Sequence, residues 1–385
     1  MSTTTVMKPD LEFIRDLKKA GGDTLKKCYQ CATCSVVCNL SSKDHPFPRK
    51  QMVMSQWGMK DQLLGDPSIW MCHQCMDCTK NCPRDAKPGE VLGAVRAYAF
   101  QHFAFPAFMG KALANRNSLP VLLLIPAMVL LGVLLGGSSG DWGYLFQFTG
   151  EVELARAFPH GALEMLFIGG NLLIFAFAAV GLMRFWKGLK AFTPGKSGPG
   201  FIPAFIAAIT ELLTHKKFND CEETKHRYLG HTLMFWGFIG AMATAGFAVF
   251  FTIILESMGS PFYLHSPIDL PNPIKILGVV SGIAMIWGGW ILIQKRKSED
   301  APGVSSYSDW QFLYMIWFVG LTGMLTYILR LAGIPIVGYA VYYVHLVLVF
   351  FLLWYAPYSK FGHMFYRTLA LIYAKSVAID NPRKK

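Results

Sequence analysis

Two copies of one four-cysteine motif lie in the first quarter of the chain. Each copy has the spacing C-x2-C-x2-C-x3-C, and together they contain eight of the nine cysteines. The first copy consists of Cys28, Cys31, Cys34 and Cys38, and the second of Cys72, Cys75, Cys78 and Cys82. Three thiolates on one tight loop can ligate three irons of a [4Fe-4S] cubane, so the fourth ligand must come from elsewhere.

This spacing is typical of bacterial two-cluster ferredoxins, in which the fourth cysteine of each copy ligates the other cluster. We therefore predict two [4Fe-4S] clusters whose ligands cross between the copies. Cluster one has the predicted ligands Cys28, Cys31, Cys34 and Cys82, and cluster two has Cys72, Cys75, Cys78 and Cys38. Two structural zinc sites are the alternative, but zinc usually takes two C-x2-C pairs. Asn39 departs from the pattern, because the second copy has Pro83 at that place.

The composition divides the chain into a polar first part and an apolar remainder. Hydrophobic residues make up 53% of the chain and charged residues only 16%, against about 25% charged in soluble domains. Long apolar runs begin at Leu119, so we predict a cytoplasmic ferredoxin-like domain over 1–105 and a transmembrane domain over 106–385. No secretory signal is visible near the first residue, which agrees with a cytoplasmic first domain. Cys221 lies outside both motifs, and we expect it to be structural.

Six segments are apolar and long enough to cross a bilayer core of about 30 Å. They lie near 119–137, 161–183, 230–254, 274–293, 311–331 and 339–357. Lysine and arginine concentrate in the loops 184–228 and 294–310 and after Pro357, which places both termini in the cytoplasm of an inner-membrane protein. A shorter apolar stretch at 201–215 is expected to be an interfacial helix. The net charge of +12 is explained by this loop bias, and nothing points to nucleic acid.

Four histidines lie in or at the ends of the predicted spans, where ionisable groups usually mark function. They are His160, His231, His345 and His363. The topology puts two at each membrane level, so we predict an inner haem b on His231 and His363 and an outer one on His160 and His345. A straight helix from His345 to His363 would rise about 27 Å, which is an upper bound because Pro357 and Gly362 interrupt it. His226 is the alternative inner ligand, and no C-x-x-C-H motif predicts covalent haem.

The cysteine motifs resemble those of the heterodisulfide reductase C subunit, a small helical two-cluster protein. The membrane part resembles the haem b subunits of heterodisulfide reductase and the gamma chain of respiratory nitrate reductase, in which two haem ligands lie on the last span. A fusion of both parts is similar to the C subunit of the quinone-interacting membrane-bound oxidoreductase of sulfate reducers. The gamma chain has a further haem ligand where this chain has Ala241, so His160 is inferred independently of the resemblance.

This resemblance implies an electron conduit of all-α fold. It implies menaquinol as the membrane donor, heterodisulfide reductase A-like flavoproteins as partner proteins, and adenylylsulfate reductase as the final acceptor. A related heterodisulfide or sulfite-reductase-linked complex is the alternative within this class. A metal-binding membrane anchor or transporter is the alternative from another class, but transporters usually show internal repeats. No G-x-G-x-x-G nucleotide motif follows a predicted strand, so the chain is expected to need partners.

The expected quinol site lies at the outer end of the fourth span. Lys275 is the lysine near that end, and the gamma chain has a quinol-site lysine at a comparable place. Glu164 lies four residues after His160 and shares its helix face. We predict that quinol contacts Lys275 and that Glu164 or a haem propionate accepts a proton. The alternatives are a Lys275 that only reaches the lipid headgroups and a Glu164 that pairs with Arg156.

Overall fold

The computed structural model describes residues 8–42, 45–137, 142–146, 152–193, 198–214, 222–298 and 306–379. Helices joined by turns account for the structure of these residues, and no strand occurs among them. The prediction of an all-α fold is therefore confirmed for the part of the chain that the structure describes. Cys221, which is predicted to be structural, lies outside these residues.

Short helices surround the two cysteine motifs in the first hundred residues. They are Leu11–Leu17, Thr33–Val37, Arg49–Gln56, Lys60–Leu64, Ser68–Met71, Asp77–Lys80 and Pro88–Phe103, with a π-helical segment Lys18–Gly22 and a 3-10 segment Asp23–Lys27. Between the motifs, the helices Arg49–Gln56 and Lys60–Leu64 are separated at Gly58. Gly58 has φ of +65°, and a methyl group there would lie 2.8 Å from the carbonyl oxygen of Asp10, so the break needs glycine.

An aromatic cluster joins the cysteine-bearing part to the helices that follow. Trp70 stacks on Tyr366 with ring centroids 5.1 Å apart, and its ring edge meets Phe185 at 5.6 Å. Phe103, at the end of the helix after the second motif, packs on the same group. Because these side chains are almost fully buried, the second cysteine motif is fixed against the membrane part.

Within the described residues, six helices are long and apolar enough to cross a membrane, as predicted. In chain order, spans one to six are Arg116–Gly137, His160–Phe192, Arg227–Ser257, Pro273–Lys297, Tyr307–Leu331 and Pro335–Trp354. Neighbouring spans from three to six pack in sequence, whereas spans one and two pack on span six. Two further helices complete the membrane part: Ala107–Ala114 before span one and Phe201–Thr214 between spans two and three.

Spans three and four approach closely because small residues line their contact. A methyl group at Gly288 would lie 2.7 Å from the backbone nitrogen of Met234 and 2.8 Å from the carbonyl oxygen of Gly230. One at Gly237 would lie 2.9 Å from the carbonyl oxygen of Ser281. Small residues permit such backbone contact between membrane helices, where lipid gives little hydrophobic drive for association.

The chain bends sharply after span six. Two 3-10 segments, Ala356–Tyr358 and Lys360–Gly362, follow the end of span six at Trp354. A new helix, His363–Ser376, then begins; we call it the C-terminal helix. The predicted interruption at Pro357 and Gly362 is therefore present, and it turns the C-terminal helix onto Ser68–Met71, the segment directly before Cys72.

Gly170 allows span two to pack against span six. A methyl group there would overlap the indole ring of Trp354. We expect Gly170→Ala to destabilise the detergent-solubilised protein by about 1–3 kcal/mol, because either helix must move. The measurement is the thermal unfolding midpoint. Gly169→Ala is the matched control, since a methyl group at Gly169 has no atom within 4 Å; equal midpoints for both variants would contradict this packing.

Candidate metal centres

The two cysteine loops share one backbone conformation. Gln30 and Ala32 have φ of 61° and 69°, and Gln74 and Met76, at the same places in the second copy, have φ of 53° and 69°. A positive φ is uncommon for residues other than glycine. Its recurrence at matched positions indicates that both loops wrap around an object of the same shape.

The cysteines fall into two neighbourhoods, each containing one member of the other motif. Burial, and then the charges of Cys28, Cys31 and Cys82, raise the pKa of the Cys34 thiol to about 11. Burial, and then Cys72 and Cys75, raise the pKa of Cys38 to about 12. Burial with the charges of Cys72 and Cys38 likewise raises the pKa of Cys78. This arrangement supports the predicted crossover of Cys82 and Cys38.

The donor set fits iron–sulfur clusters. All eight motif cysteines are free thiols, and the backbone N–H groups of Gln74 and Ala86 donate to the sulfurs of Cys72 and Cys82 at 3.4 and 3.3 Å. Among the described residues, no three His, Cys, Asp or Glu side chains converge on a point that could hold one metal ion. A cubane takes one thiolate per iron, so its ligands surround a cluster instead.

A cavity of about 660 Å³ lies between the cysteine-bearing part and the membrane helices. Cys72, His231 and His363 are among the residues that line it. Its volume is within the usual range for bound cofactors and other ligands, about 300–1,000 Å³. The structure thus brings together the two histidines predicted for the inner haem, and it places both beside a predicted ligand of cluster two.

Two of the predicted haem ligands have a hydrogen-bonded Nδ1 atom. His363 Nδ1 lies 2.5 Å from the carbonyl oxygen of Lys360, and His345 Nδ1 lies 3.0 Å from Thr322 Oγ1. Metal-ligating histidines usually use one ring nitrogen for such a bond and the other for the metal. Burial, the largest cause, lowers the pKa of His363 to about 4, so its imidazole is neutral at pH 7, as ligation requires.

The predicted outer pair is arranged differently. His160 is exposed at the start of span two. His345 packs on span five, where its ring lies 3.0 Å from the position that a methyl group on Gly323 would take. Neither residue lines the cavity between the cysteine-bearing part and the membrane helices. The outer pair therefore stays a prediction, and the side chain of His226 lies outside the described residues.

Lys275 and Glu164 belong to different parts of the helix bundle. The Lys275 ammonium lies 3.6 Å from the ring centroid of Tyr327, a cation–π contact between spans four and five. Glu164 is on span two, which packs on span six. Arg156 pairs with Glu153 at 2.6 Å, which gives this arginine a nearer partner than Glu164. Among the described residues no hydrogen bond joins the Lys275 and Glu164 side chains directly, and their shared role at a quinol stays a prediction.

Five cationic side chains in the cavity wall were not predicted as site residues: Lys19, Arg96, Arg296, Lys360 and Arg367. Arg367 donates to the carbonyl oxygens of Trp70 and Cys72 at 3.2 and 3.1 Å, so it ties the C-terminal helix to the cluster-two loop. Lys360 forms an ion pair with Asp309. In the sequence most of these cations belong to the basic segments that flank the predicted spans, so their common location is not apparent.

Two protein families match different parts of the chain. A family described as "4Fe-4S dicluster domain" matches residues 24–86, and one described as "Citrate utilization protein B" matches residues 112–383. No solved structure matches the chain. The first match agrees with iron–sulfur clusters on the two cysteine motifs.

Individual relatives likewise match different parts of the chain. The chain is 39% identical over 88 residues to the C subunit of the H(2):CoB-CoM heterodisulfide,ferredoxin reductase of Methanothermobacter thermautotrophicus, covering 23% of this chain and 47% of the relative. An Archaeoglobus profundus protein, named as similar to the C subunit of heterodisulfide reductase, is 34% identical over 89 residues, with the same coverage. The chain thus spans about half the length of these relatives. Citrate utilization protein B of Escherichia coli is 26% identical over 329 residues, 78% of this chain and 80% of the relative.

Proposed function

The chain belongs to the citrate utilization protein B family, whose match covers residues 112–383, and from this premise we propose that it is the membrane component of a respiratory oxidoreductase complex. It carries electrons between a quinone in the bilayer and a partner protein on the cytoplasmic side. Iron–sulfur electron transfer is the shared character of the heterodisulfide reductase relatives that match its first part. Beyond iron–sulfur electron transfer, we propose haem b as a cofactor, a quinone as the membrane substrate and a partner protein.

The cavity bounded by Cys72, His231 and His363 is the observation that carries this proposal. It supports a carrier in the membrane part directly beside cluster two. Without such a carrier, the clusters would have no route into the apolar helices. Two imidazoles from different segments, here span three and the C-terminal helix, would be able to hold a haem iron.

Some side chains would hold cofactors, and others set the distance between the cluster-two loop and the membrane part. Haems and cubane clusters, when bound, supply one-electron carriers that span the membrane and the cytoplasmic domain. His231 and His363 would hold the inner haem, and His345 with His160 is the proposed outer pair. The carbonyl of Lys360 orients the His363 imidazole, since it lies 2.5 Å from Nδ1. Trp70, packed on Tyr366, fixes the cluster-two loop relative to the membrane part.

The proposed quinol site is at the outer end of span four. Oxidation of a quinol releases two electrons and two protons, so the site needs a polar side chain and a proton acceptor. Lys275 supplies the polar contact, and its position over Tyr327 keeps the ammonium within the bundle. Because Glu164 lies on span two, its role as proton acceptor requires a quinol placed toward spans two and six.

Two sets of partners follow from different parts of the chain. The first part of the chain matches subunits of heterodisulfide reductase, and for it we propose transfer from menaquinol to a heterodisulfide reductase A-like flavoprotein, with adenylylsulfate reductase as the acceptor. The relative that matches most of the chain is named for citrate utilization. It favours a second candidate, in which a soluble enzyme that oxidises an organic acid delivers electrons to the clusters and the membrane part reduces a quinone.

Quinol-driven reduction tests the proposal. We expect a menaquinol analogue added to the purified, oxidised protein to reduce haem b and then the clusters, followed by optical absorption and electron paramagnetic resonance. Lys275→Ala should slow the reduction by about 10- to 100-fold, since a hydrogen bond to a charged group contributes about 1.5–3 kcal/mol. Lys187→Ala is the control. Lys187 is exposed near the C-terminal end of span two, so quinol should reduce this variant at the parent's rate.

Dithionite serves as the control for intact cofactors in these variants. If the parent contains haem that dithionite reduces and quinol does not, the quinol part of the proposal is wrong. If Lys275→Ala equals the parent in rate and in apparent quinol affinity, the quinol site lies elsewhere.

A further inference from the structure

The end of the cavity formed by the membrane part carries more positive than negative charge. Arg296, Lys360 and Arg367 line this end, and Arg96 lines the cavity from the helix after the second motif. The acidic residues of the cavity wall are paired: Asp309 with Lys360, Glu211 with Lys375 at 3.0 Å and Glu90 with Lys87 at 4.0 Å. These acids are therefore engaged by other cations, which leaves the arginines to determine the local charge. A ligand of this cavity is expected to carry an anionic group at this end.

Two buried donors at this end have no acceptor within the part of the chain that the structure describes. They are Nη1 of Arg296, at the end of span four, and Nε2 of Gln311, in the first turns of span five. The Arg296 guanidinium lies 6.0 Å from the ring centroid of Trp310, which places it alongside the residue that precedes Gln311. A buried donor left without an acceptor costs about 1–3 kcal/mol, so two of them lining one cavity indicate that a ligand accepts their hydrogen bonds.

A carboxylate is the acceptor that best matches these donors. The guanidinium presents parallel N–H groups that fit the two oxygens of a carboxylate, and a side-chain amide adds a further N–H. His231 and His363 line the same cavity, so a ligand held by these imidazoles would extend toward the two donors. Lys360 is unsuited to this role because Asp309 already engages its ammonium.

We propose that Arg296 and Gln311 bind a carboxylate arm of the macrocyclic cofactor that His231 and His363 hold in the cavity. This inference rests on the proposed function, because it assigns the cofactor's acidic side chain to a particular pair of residues. The pair would hold a bound cofactor in one orientation within the cavity. It would also offset the negative charge of the cofactor's carboxylate.

Haem retention tests this assignment without any measurement of activity. The experiment mixes the purified full-length protein with excess apomyoglobin and follows the transfer of haem by absorption. Arg296→Gln and Gln311→Leu should each release the inner haem about 10- to 100-fold faster than the parent, corresponding to the loss of one charge-assisted hydrogen bond. Arg296→Gln should also lower the midpoint potential of that haem, because a nearby positive charge favours the reduced form.

Lys295→Gln is the matched control, because Lys295 precedes Arg296, is exposed, and does not line the cavity; it should release haem at the parent's rate. Iron content and the thermal midpoint verify that each variant folds. Haem release and potential unchanged in both Arg296→Gln and Gln311→Leu would overturn the assignment and leave the proposed function intact. A free organic acid co-purifying at this place, with unchanged haem release, would overturn it as well. A parent protein without any haem would instead refute the proposed function.

Discussion

His363→Ala should leave the purified protein with about half of the parent's haem b. His363 begins the C-terminal helix and lines the cavity beside Cys72 and His231, so its imidazole is the proposed axial ligand nearest to the clusters. An alanine there removes one of two ligands and the contact with the Lys360 carbonyl. The measurement is haem content per chain by the pyridine haemochrome method, together with the rate of quinol-driven cluster reduction, which should fall to background.

His265→Ala is the control for this experiment. His265 is exposed in the loop between spans three and four, where its ring contacts Tyr263, and its loss should change neither haem content nor rate. Haem content in His363→Ala equal to that of the parent would mean that this residue ligates no haem. The inner site would then have to be sought away from the C-terminal helix.

Removal of single cysteines should sort the eight ligands into two groups that cross between the motifs. Each variant is expected to lose one cubane and about half of the iron, because a cubane with three thiolates is much less stable than one with four. Electron paramagnetic resonance of the reduced protein then identifies the surviving cluster. Cys38→Ala should leave the same signal as Cys78→Ala, and Cys82→Ala should leave the same signal as Cys34→Ala.

This comparison needs no prior assignment of either signal, since the variants act as controls for one another. The proximity of Cys38 to Cys72 and of Cys82 to Cys34 is its structural basis. If Cys38→Ala instead leaves the signal seen in Cys34→Ala, each motif ligates its own cubane. The crossover would then be wrong, although the presence of two clusters would not be affected.

The sequence predicted the parts of this molecule that depend on local spacing. Cysteine spacing indicates a shared loop structure, and the repeated positive φ at Ala32 and Met76 agrees with it. Long apolar runs indicate membrane spans, because a bilayer demands about 20 apolar residues whatever the surrounding fold. The break at Gly58 could not be predicted in this way, since it depends on contact with Asp10, which is distant in the chain.

The proximity of residues that are distant in the sequence was harder to predict, because it depends on how the helices pack. Membrane depth alone predicted His231 and His363 as a pair, and the structure places both on one cavity. The same reasoning paired Lys275 with Glu164, but depth says nothing about which side of the bundle a residue occupies. Arg296 appeared in the sequence as part of a basic loop, and only the packing of spans four and five shows that it reaches the cavity.

The central claim is that haem in the membrane part and clusters in the cytoplasmic part form one electron path. Its most direct test is a reduced-minus-oxidised optical spectrum of the purified full-length protein, combined with quantification of haem and iron. We predict b-type absorption with about two haems and about eight non-haem irons per chain, the content of two bis-histidine sites and two cubanes. Iron at this level without any haem absorption would contradict the claim and favour a membrane anchor that carries iron–sulfur clusters.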